Sequence, residues 1–256
     1  MFRPKIIGFV CNWSLPTEVE IAGSRSIRGY PKIHIVRVRC VGGIDPVIML
    51  ETFVQGADGI LVISCPPHDC HHIEGNSQAE QKIEMLRKLL SLTGLEPERL
   101  QLEWTYPTEI GSFVRIIDKF RDQIVKLGQT PLTGENPNET ALLNVLAAEN
   151  AAADFRLRVL IGRKRELTEA TNVYGEKISQ EEFDELLDEI VKEEFIRHKI
   201  RLLVKQKPRS VKELAAIMHV KPASVLNQIV DMRRKGMMTL DHVEETTPLY
   251  KALEVE

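Results

Sequence analysis

Four cysteines, Cys11, Cys40, Cys65 and Cys70, lie in the first third of a 256-residue chain, and none follows. The first three each close a short apolar run, over residues 6–10, 33–39 and 60–64. Runs of this length rich in Ile and Val read as β-strands. Cys70 comes five residues after Cys65, in a polar loop that also holds His68, His71 and His72. Ligands of open parallel α/β sheets bind outside the carboxyl ends of the strands, so these thiols mark one rim site. A cysteine buried as a small apolar residue explains neither the repeated strand-end placement nor the loop position of Cys70. Four thiolates are enough to hold one zinc ion or one iron–sulfur cluster. Zinc sites usually use two short cysteine pairs, and only Cys65 and Cys70 are close here. The histidines could serve zinc or tune a cluster by hydrogen bonding, and an exposed polar loop would hold them equally well. Gly42-Gly43 and Gly75-Asn76 leave room for backbone N–H groups beside bound sulfur.

The elements that must carry these residues alternate strand with helix over residues 1–128. A helix is expected over residues 17–27, and Pro31 precedes the second strand. Asp45-Pro46 supplies an N-cap and an N1 proline for the next helix, which Gly56 ends. Ile83, Leu86, Leu89 and Leu90 share one face of a helix over residues 77–92. A fourth strand over residues 100–106 and a helix over residues 108–127 complete the unit. Strands separated by helical crossovers imply a parallel sheet. The fold class is therefore α/β, an open parallel sheet of about four strands with flanking helices, followed by a helical and winged helix-turn-helix-like C-terminal region.

Residues 129–139, with Pro131, Gly134 and Pro137, have the composition of a linker. A helical connector over residues 140–194 follows, with one Ala- and Leu-rich helix over residues 141–167. A second helix opens with the capping box Ser179-x-x-Glu182, and its acidic stretch over residues 181–194 reads as a solvated face. From residue 195 to 256 the order is short helix, turn, helix and β-hairpin, which resembles a winged helix-turn-helix domain. Ser210-x-x-Glu213 caps the first helix, Pro222 opens the second, and a polar tip over residues 244–247 joins two apolar runs. Basic residues from Arg197 to Lys235 suit phosphate contacts. The second helix offers Ser224, Asn227 and Gln228 at its start but no arginine to read bases, so protein docking is favoured over DNA.

A formal charge of −3 with 43% hydrophobic residues fits neither a nucleic-acid-coating chain nor a solvating acidic one. No segment reaches the roughly 20 apolar residues that cross a bilayer. Residues 1–5 run straight into a strand pattern without a signal-peptide core, so the expected location is cytoplasmic, where thiols stay reduced. There is no P-loop, no G-x-G-x-x-G and no Ser–His–Asp setting. The first strand ends in Trp13, Leu15 and Pro16 rather than a small-residue phosphate loop, which disfavours a flavin mononucleotide site.

Several of these segments together resemble one family: Cys11-Asn12-Trp13, Val36-Arg37-Val38-Arg39-Cys40, Gly56-Ala57-Asp58-Gly59-Ile60, Asp69-Cys70-His71-His72 and Glu98-Arg99-Leu100-Gln101-Leu102-Glu103-Trp104. Residues 5–128 resemble the delta subunit of methyl-viologen-reducing hydrogenase. The resemblance implies a [2Fe–2S] cluster on Cys11, Cys40, Cys65 and Cys70. It implies an electron-transfer subunit between a second oxidoreductase and a flavin- and iron–sulfur-containing heterodisulfide reductase-like subunit, in an electron-bifurcating complex. Such a subunit is not itself a catalyst. The family pattern has a further cysteine where this chain has Ser14, whose oxygen could substitute, and the third-strand loop here reads Ser64-Cys65-Pro66 rather than Gly-Cys-His. The alternative is a redox- or metal-sensing regulator that binds DNA through the winged helix.

Overall fold

The structure, a computed structural model, describes residues 2–16, 33–134 and 136–253. The helix expected over residues 17–27 lies outside the described residues. β1 (Ile6–Cys11), β2 (Ile33–Val38), β3 (Gly59–Ser64) and β4 (Leu100–Trp104) pair in parallel in the order β2-β1-β3-β4. Strand residues alternate between faces. Phe9, Cys11, Ile60 and Val62 join a buried cluster with α1 (Pro46–Val54) and α2 (Gly75–Ser91). Ile6, Val10, Leu61 and Ile63 instead meet Phe113, Ile117, Phe120 and Ile124 of α3 (Ile110–Leu127). Helices therefore cover both faces, as a parallel sheet requires. Asp45 caps α1 by accepting the Val47 N–H at 3.0 Å, with Pro46 at N1.

Residues 128–138 hold no helix or strand among the described residues, yet they are packed rather than loose. Leu132 is buried in the core, and the Thr130 N–H donates to Asp58 Oδ1 at 2.9 Å. The single helix expected over residues 141–167 is instead three: α4 (Glu139–Ala153), α5 (Phe155–Gly162) and α6 (Lys164–Glu169). The break is at Asp154, whose backbone is extended and whose carboxylate accepts the Arg156 N–H at 2.8 Å. Aspartate is a better N-cap than helix interior, and the turn it allows brings Leu157, Leu160 and Ile161 into the core.

α7 (Gln180–Gln206) begins with the Ser179–Glu182 capping box and runs unbroken across positions 194 and 195. Its acidic stretch is mostly at the surface, with one exception. Glu194 is fully buried, with both oxygens 2.7 Å from Arg197 Nη1 and one 3.2 Å from Arg156 Nη1. A buried carboxylate needs such partners, because burying an isolated charge is prohibitive. Beyond α7 come β5 (Arg209–Ser210), α8 (Val211–Met218), α9 (Pro222–Arg234), β6 (Met238–Glu244) and β7 (Thr247–Ala252). The three strands form an antiparallel sheet in the order β5-β7-β6. Ile200, Leu203, Leu214, Val225, Ile229, Met232 and Met238 make its core, so the end of α7 belongs to both halves of the molecule.

The amino-terminal edge of the parallel sheet is locked by two residues of the family-like segments. Arg99 is only 1% exposed. Its Nη1 donates to the Asp58 and Gly128 carbonyls, each at 3.0 Å, and its Nε donates to Glu96 Oε2 at 2.7 Å. Burial would raise the Glu96 pKa, but the Arg99 guanidinium holds it below the usual carboxylate range. Asp58 in turn accepts the Lys5 N–H at 2.8 Å. Arg99→Met would remove the hydrogen bonds to the Asp58, Leu127 and Gly128 carbonyls and is expected to cost about 3 kcal/mol in urea unfolding. Metal content at the opposite edge of the sheet is expected to be unchanged.

Candidate metal centre

The chain leaves β1 for β2 on one side and returns to β3 on the other, so the topological switch point lies between β1 and β3. Ligand crevices of open α/β sheets form at this place, outside the carboxyl ends of the strands. Cys11 ends β1 and Cys65 follows β3, and their buried sulfurs are 3.6 Å apart. All four cysteines are free thiols. Cys40 follows β2 at the start of a turn over Val41–Gly43, and Cys70 sits in the loop before α2. Both are half-buried and meet at the first residue of α2. A Cβ added to Gly75 would lie 2.3 Å from Cys40 Sγ and 3.4 Å from Cys70 Sγ.

The glycines act by close packing. A Cβ on Gly42 would come within 2.2 Å of the Gly75 carbonyl oxygen, so Gly42 excludes any side chain, while one on Gly75 would have to push Cys40 Sγ aside. The Gly42-Gly43 and Gly75-Asn76 pairs thereby seat one half of the site against the other. Lys82 reinforces this seat, with Nζ donating to the Gly42 carbonyl at 2.6 Å and the Ile44 carbonyl at 3.1 Å. Burial pushes the Lys82 pKa down and nearby Arg158 adds to this, while the Asp45 carboxylate pulls it up. Asn76 Nδ2 donates to the Pro66 carbonyl at 3.1 Å and ties the Cys65–Cys70 loop to α2. Nothing in the residue pattern singled out Lys82. A lysine seven residues into an amphipathic helix reads as surface until the turn beneath it is known.

The Cys11 and Cys65 sulfurs are thus in contact, and the Cys40 and Cys70 sulfurs both flank Gly75. Among the described residues, no three thiol or imidazole donors of this rim lie within 4.8 Å of one another. His68, His71 and His72 are exposed. His71 stacks on Trp13 with ring centroids 3.5 Å apart, and His72 meets His71 edge-on at 5.1 Å. Trp13 stays 46% exposed, so the stack lies at the solvent side of the rim. Ser14 is fully buried, its N–H donates to the Cys11 carbonyl at 2.9 Å, and its Oγ has no hydrogen-bond partner among the described residues.

The residues fit a soft metal group. An all-thiol donor set selects zinc or iron–sulfur chemistry over magnesium or calcium. The amino end of α2, with no acidic residue in its first turn, favours negative charge on the adjoining sulfurs. The Cys11 thiol is pushed up to about 12, mainly by burial, with Cys65 and Cys40 adding to the effect against the Trp13 N–H. Cys11 is therefore neutral in the metal-free protein, and a bound metal takes the place of its proton. A second donor cluster, Asp154, Glu194 and His198, is already neutralised by the guanidiniums of Arg156 and Arg197 and reads as an ion-pair network.

A doubly wound parallel α/β unit with thiols at its switch point is the class that this fold and rim define. Residues 6–128 match the family described as methyl-viologen-reducing hydrogenase, delta subunit. The chain is 38% identical over 127 residues to the iron-sulfur subunit of the F420-non-reducing hydrogenase of Archaeoglobus profundus, covering 50% of this chain and 93% of that one. It is 36% identical over 131 residues to the iron-sulfur subunit of the F420-non-reducing hydrogenase vhc of Methanococcus voltae, covering 51% and 91%. It is 32% identical over 142 residues to one subunit of the ferredoxin/F(420)H(2)-dependent CoB-CoM heterodisulfide reductase of Methanosarcina acetivorans, covering 56% of this chain and 18% of that one. The chain belongs to the methyl-viologen-reducing hydrogenase delta subunit family, and the family match ends where the packed connection to the helical half begins.

Gly75→Ala tests the geometry of the rim. The added methyl must displace Cys40 Sγ, so iron retained after anoxic reconstitution with ferrous iron and sulfide is expected to fall about tenfold. Circular dichroism in the far ultraviolet is expected to stay unchanged.

Proposed function

We propose that residues 1–128 form an electron-transfer subunit that would hold a [2Fe–2S] cluster on Cys11, Cys40, Cys65 and Cys70. The observation that carries this reading is that four thiols converge on one rim while, among the described residues, no three of them lie within 4.8 Å of one another. A tetrahedral zinc with bonds of about 2.3 Å draws all four sulfurs to about 3.8 Å of each other. Two irons need only pairwise closeness, which Cys11 and Cys65 have. The names of the relatives, iron-sulfur subunits of hydrogenases and one subunit of a heterodisulfide reductase, support the same reading.

The cluster would supply one-electron exchange. The chain's own residues set the conditions for it. Burial of Cys11 and Cys65 keeps water from two of the sulfurs, and the α2 amino end and Lys82 offset negative charge at the other two. The Trp13–His71 stack sets the exposed side toward an arriving redox partner. On this reading the donor and acceptor are a second oxidoreductase and a flavin- and iron–sulfur-containing heterodisulfide reductase-like subunit, within an electron-bifurcating complex of the cytoplasm. The subunit relays electrons and the assembly holds the catalytic sites. Among the described residues, no helix is long and apolar enough to cross a membrane.

We further read the chain as a 1–128 iron–sulfur unit, a 129–139 linker, a 140–194 connector and a 195–256 winged-helix-like unit that docks protein. Three observations support docking over DNA. Arg197 and Lys199 are buried, Gln228 accepts from Arg197 Nε at 3.1 Å, and the outer face of α9 exposes Leu226 and Val230. One of the basic residues, Arg197, and one of the polar readers, Gln228, are thus engaged with each other, and Lys199 is withdrawn from the surface.

Anoxic purification with iron and sulfide analysis is expected to find about two of each per chain, and the reduced protein is expected to give a rhombic EPR signal. Zinc without sulfide would overturn the relay. For the second half, DNA-shift assays at low salt are expected to show no binding in either redox state. Redox-dependent binding would favour the regulator instead.

A further inference from the structure

One flank of α7 presents Lys192, Phe195, Ile196 and Lys199, a spacing that puts them on a single helical face. This flank walls a cavity of about 330 Å³, near the lower end of the usual size for small-molecule sites. Leu92 from the end of α2 and Met218 and Val220 from the end of α8 close it, so three separate segments converge there. The wall is mainly apolar, and its buried charge is Lys199, only 7% exposed.

Lys199 differs from its charged neighbours on α7. Glu194, Arg197 and His198 each have a partner of opposite charge. Among the described residues Lys199 has neither a carboxylate nor a hydrogen-bond partner, and its Nζ lies 5.9 Å from the Phe195 ring centroid. Burial pushes its pKa down with nothing to oppose it. An ammonium partly withdrawn from water without a counter-charge is a cost to the fold, and the Lys199 side chain lines a cavity. Lys82 shows the contrast, since its half-buried ammonium is spent on two backbone carbonyls.

We propose that this cavity binds a small amphipathic carboxylate. The anionic head pairs with Lys199, with Lys192 at the mouth, and the apolar tail packs on Leu92, Phe195 and Met218. The mainly apolar wall selects against a strongly hydrated phosphate, which would find no tail contact to use and no arginine fork. An occupant would touch α2, α7 and α8 together and so would stabilise the junction between the sheet and the C-terminal hairpin unit. The site is independent of the metal centre.

The test is calorimetric titration of the full chain with sodium octanoate, with 1-octanol and inorganic phosphate as the tail-only and head-only controls. Octanoate is expected to bind and to raise Tm, and both controls are expected to bind at least about tenfold more weakly. Lys199→Met is expected to weaken octanoate about tenfold and, without ligand, to raise Tm, because an unpaired, partly desolvated charge is gone. A measurement on the unaltered protein backs up the variant: octanoate is expected to slow reductive methylation of Lys199 but not of exposed Lys119. No binding up to about 10 mM, equal affinity in Lys199→Met, phosphate binding as tight as octanoate, or unprotected Lys199 would each overturn the proposal.

Discussion

The parallel pairing of β1 with β3 is the constraint on which the rest of the rim depends. Their register sets Val10 opposite Ile63, so the chain emerges from both strands at the same height and the Cys11 and Cys65 sulfurs end 3.6 Å apart. No loop search is needed to bring these two thiols together, because the sheet holds them. Side-chain alternation then decides their face. Cys11 follows Phe9 toward α1 and α2, where the interior is closed, and away from α3. Cys40 is held less directly, by Gly42 pressed on the Gly75 carbonyl and by Gly75 pressed on Cys40.

The two edges of the sheet divide the work. At the amino edge, Arg99 and Asp58 join the starts of β1, β3 and β4 to the segment after α3 through a set of buried hydrogen bonds. The polar groups of these two residues are matched, and that edge reads as stability. At the carboxyl edge the thiols and the orphaned Ser14 hydroxyl leave polar capacity unspent, and Lys82 is pulled inward to brace a turn. Concentrating unsatisfied chemistry at one edge is tolerable because the other edge and the shared core with α4, α5 and α7 hold the strands in place.

Much of this was legible in the residues. Strand ends marked by Cys11, Cys40 and Cys65, and caps at Asp45, Ser179 and Ser210, are local signals, and each appears in the structure where it was expected. What escaped was set by contacts between distant residues. The Ala-rich stretch over residues 141–167 looks like one helix until Asp154 finds both the Arg156 N–H and His198. The acidic run on α7 looks like a solvated face until Glu194 meets Arg156 and Arg197. Gly42-Gly43 suggested access for N–H groups, whereas Gly42 is needed for contact with Gly75. Asp58 and Arg99 stand out as part of a family-like pattern, and their role is structural.

The most direct measurement is anomalous diffraction at the iron edge from crystals grown without oxygen. The account predicts two adjoining iron peaks among the sulfurs of Cys11, Cys40, Cys65 and Cys70, at the carboxyl edge between β1 and β3. One zinc peak within bonding distance of all four sulfurs would contradict it.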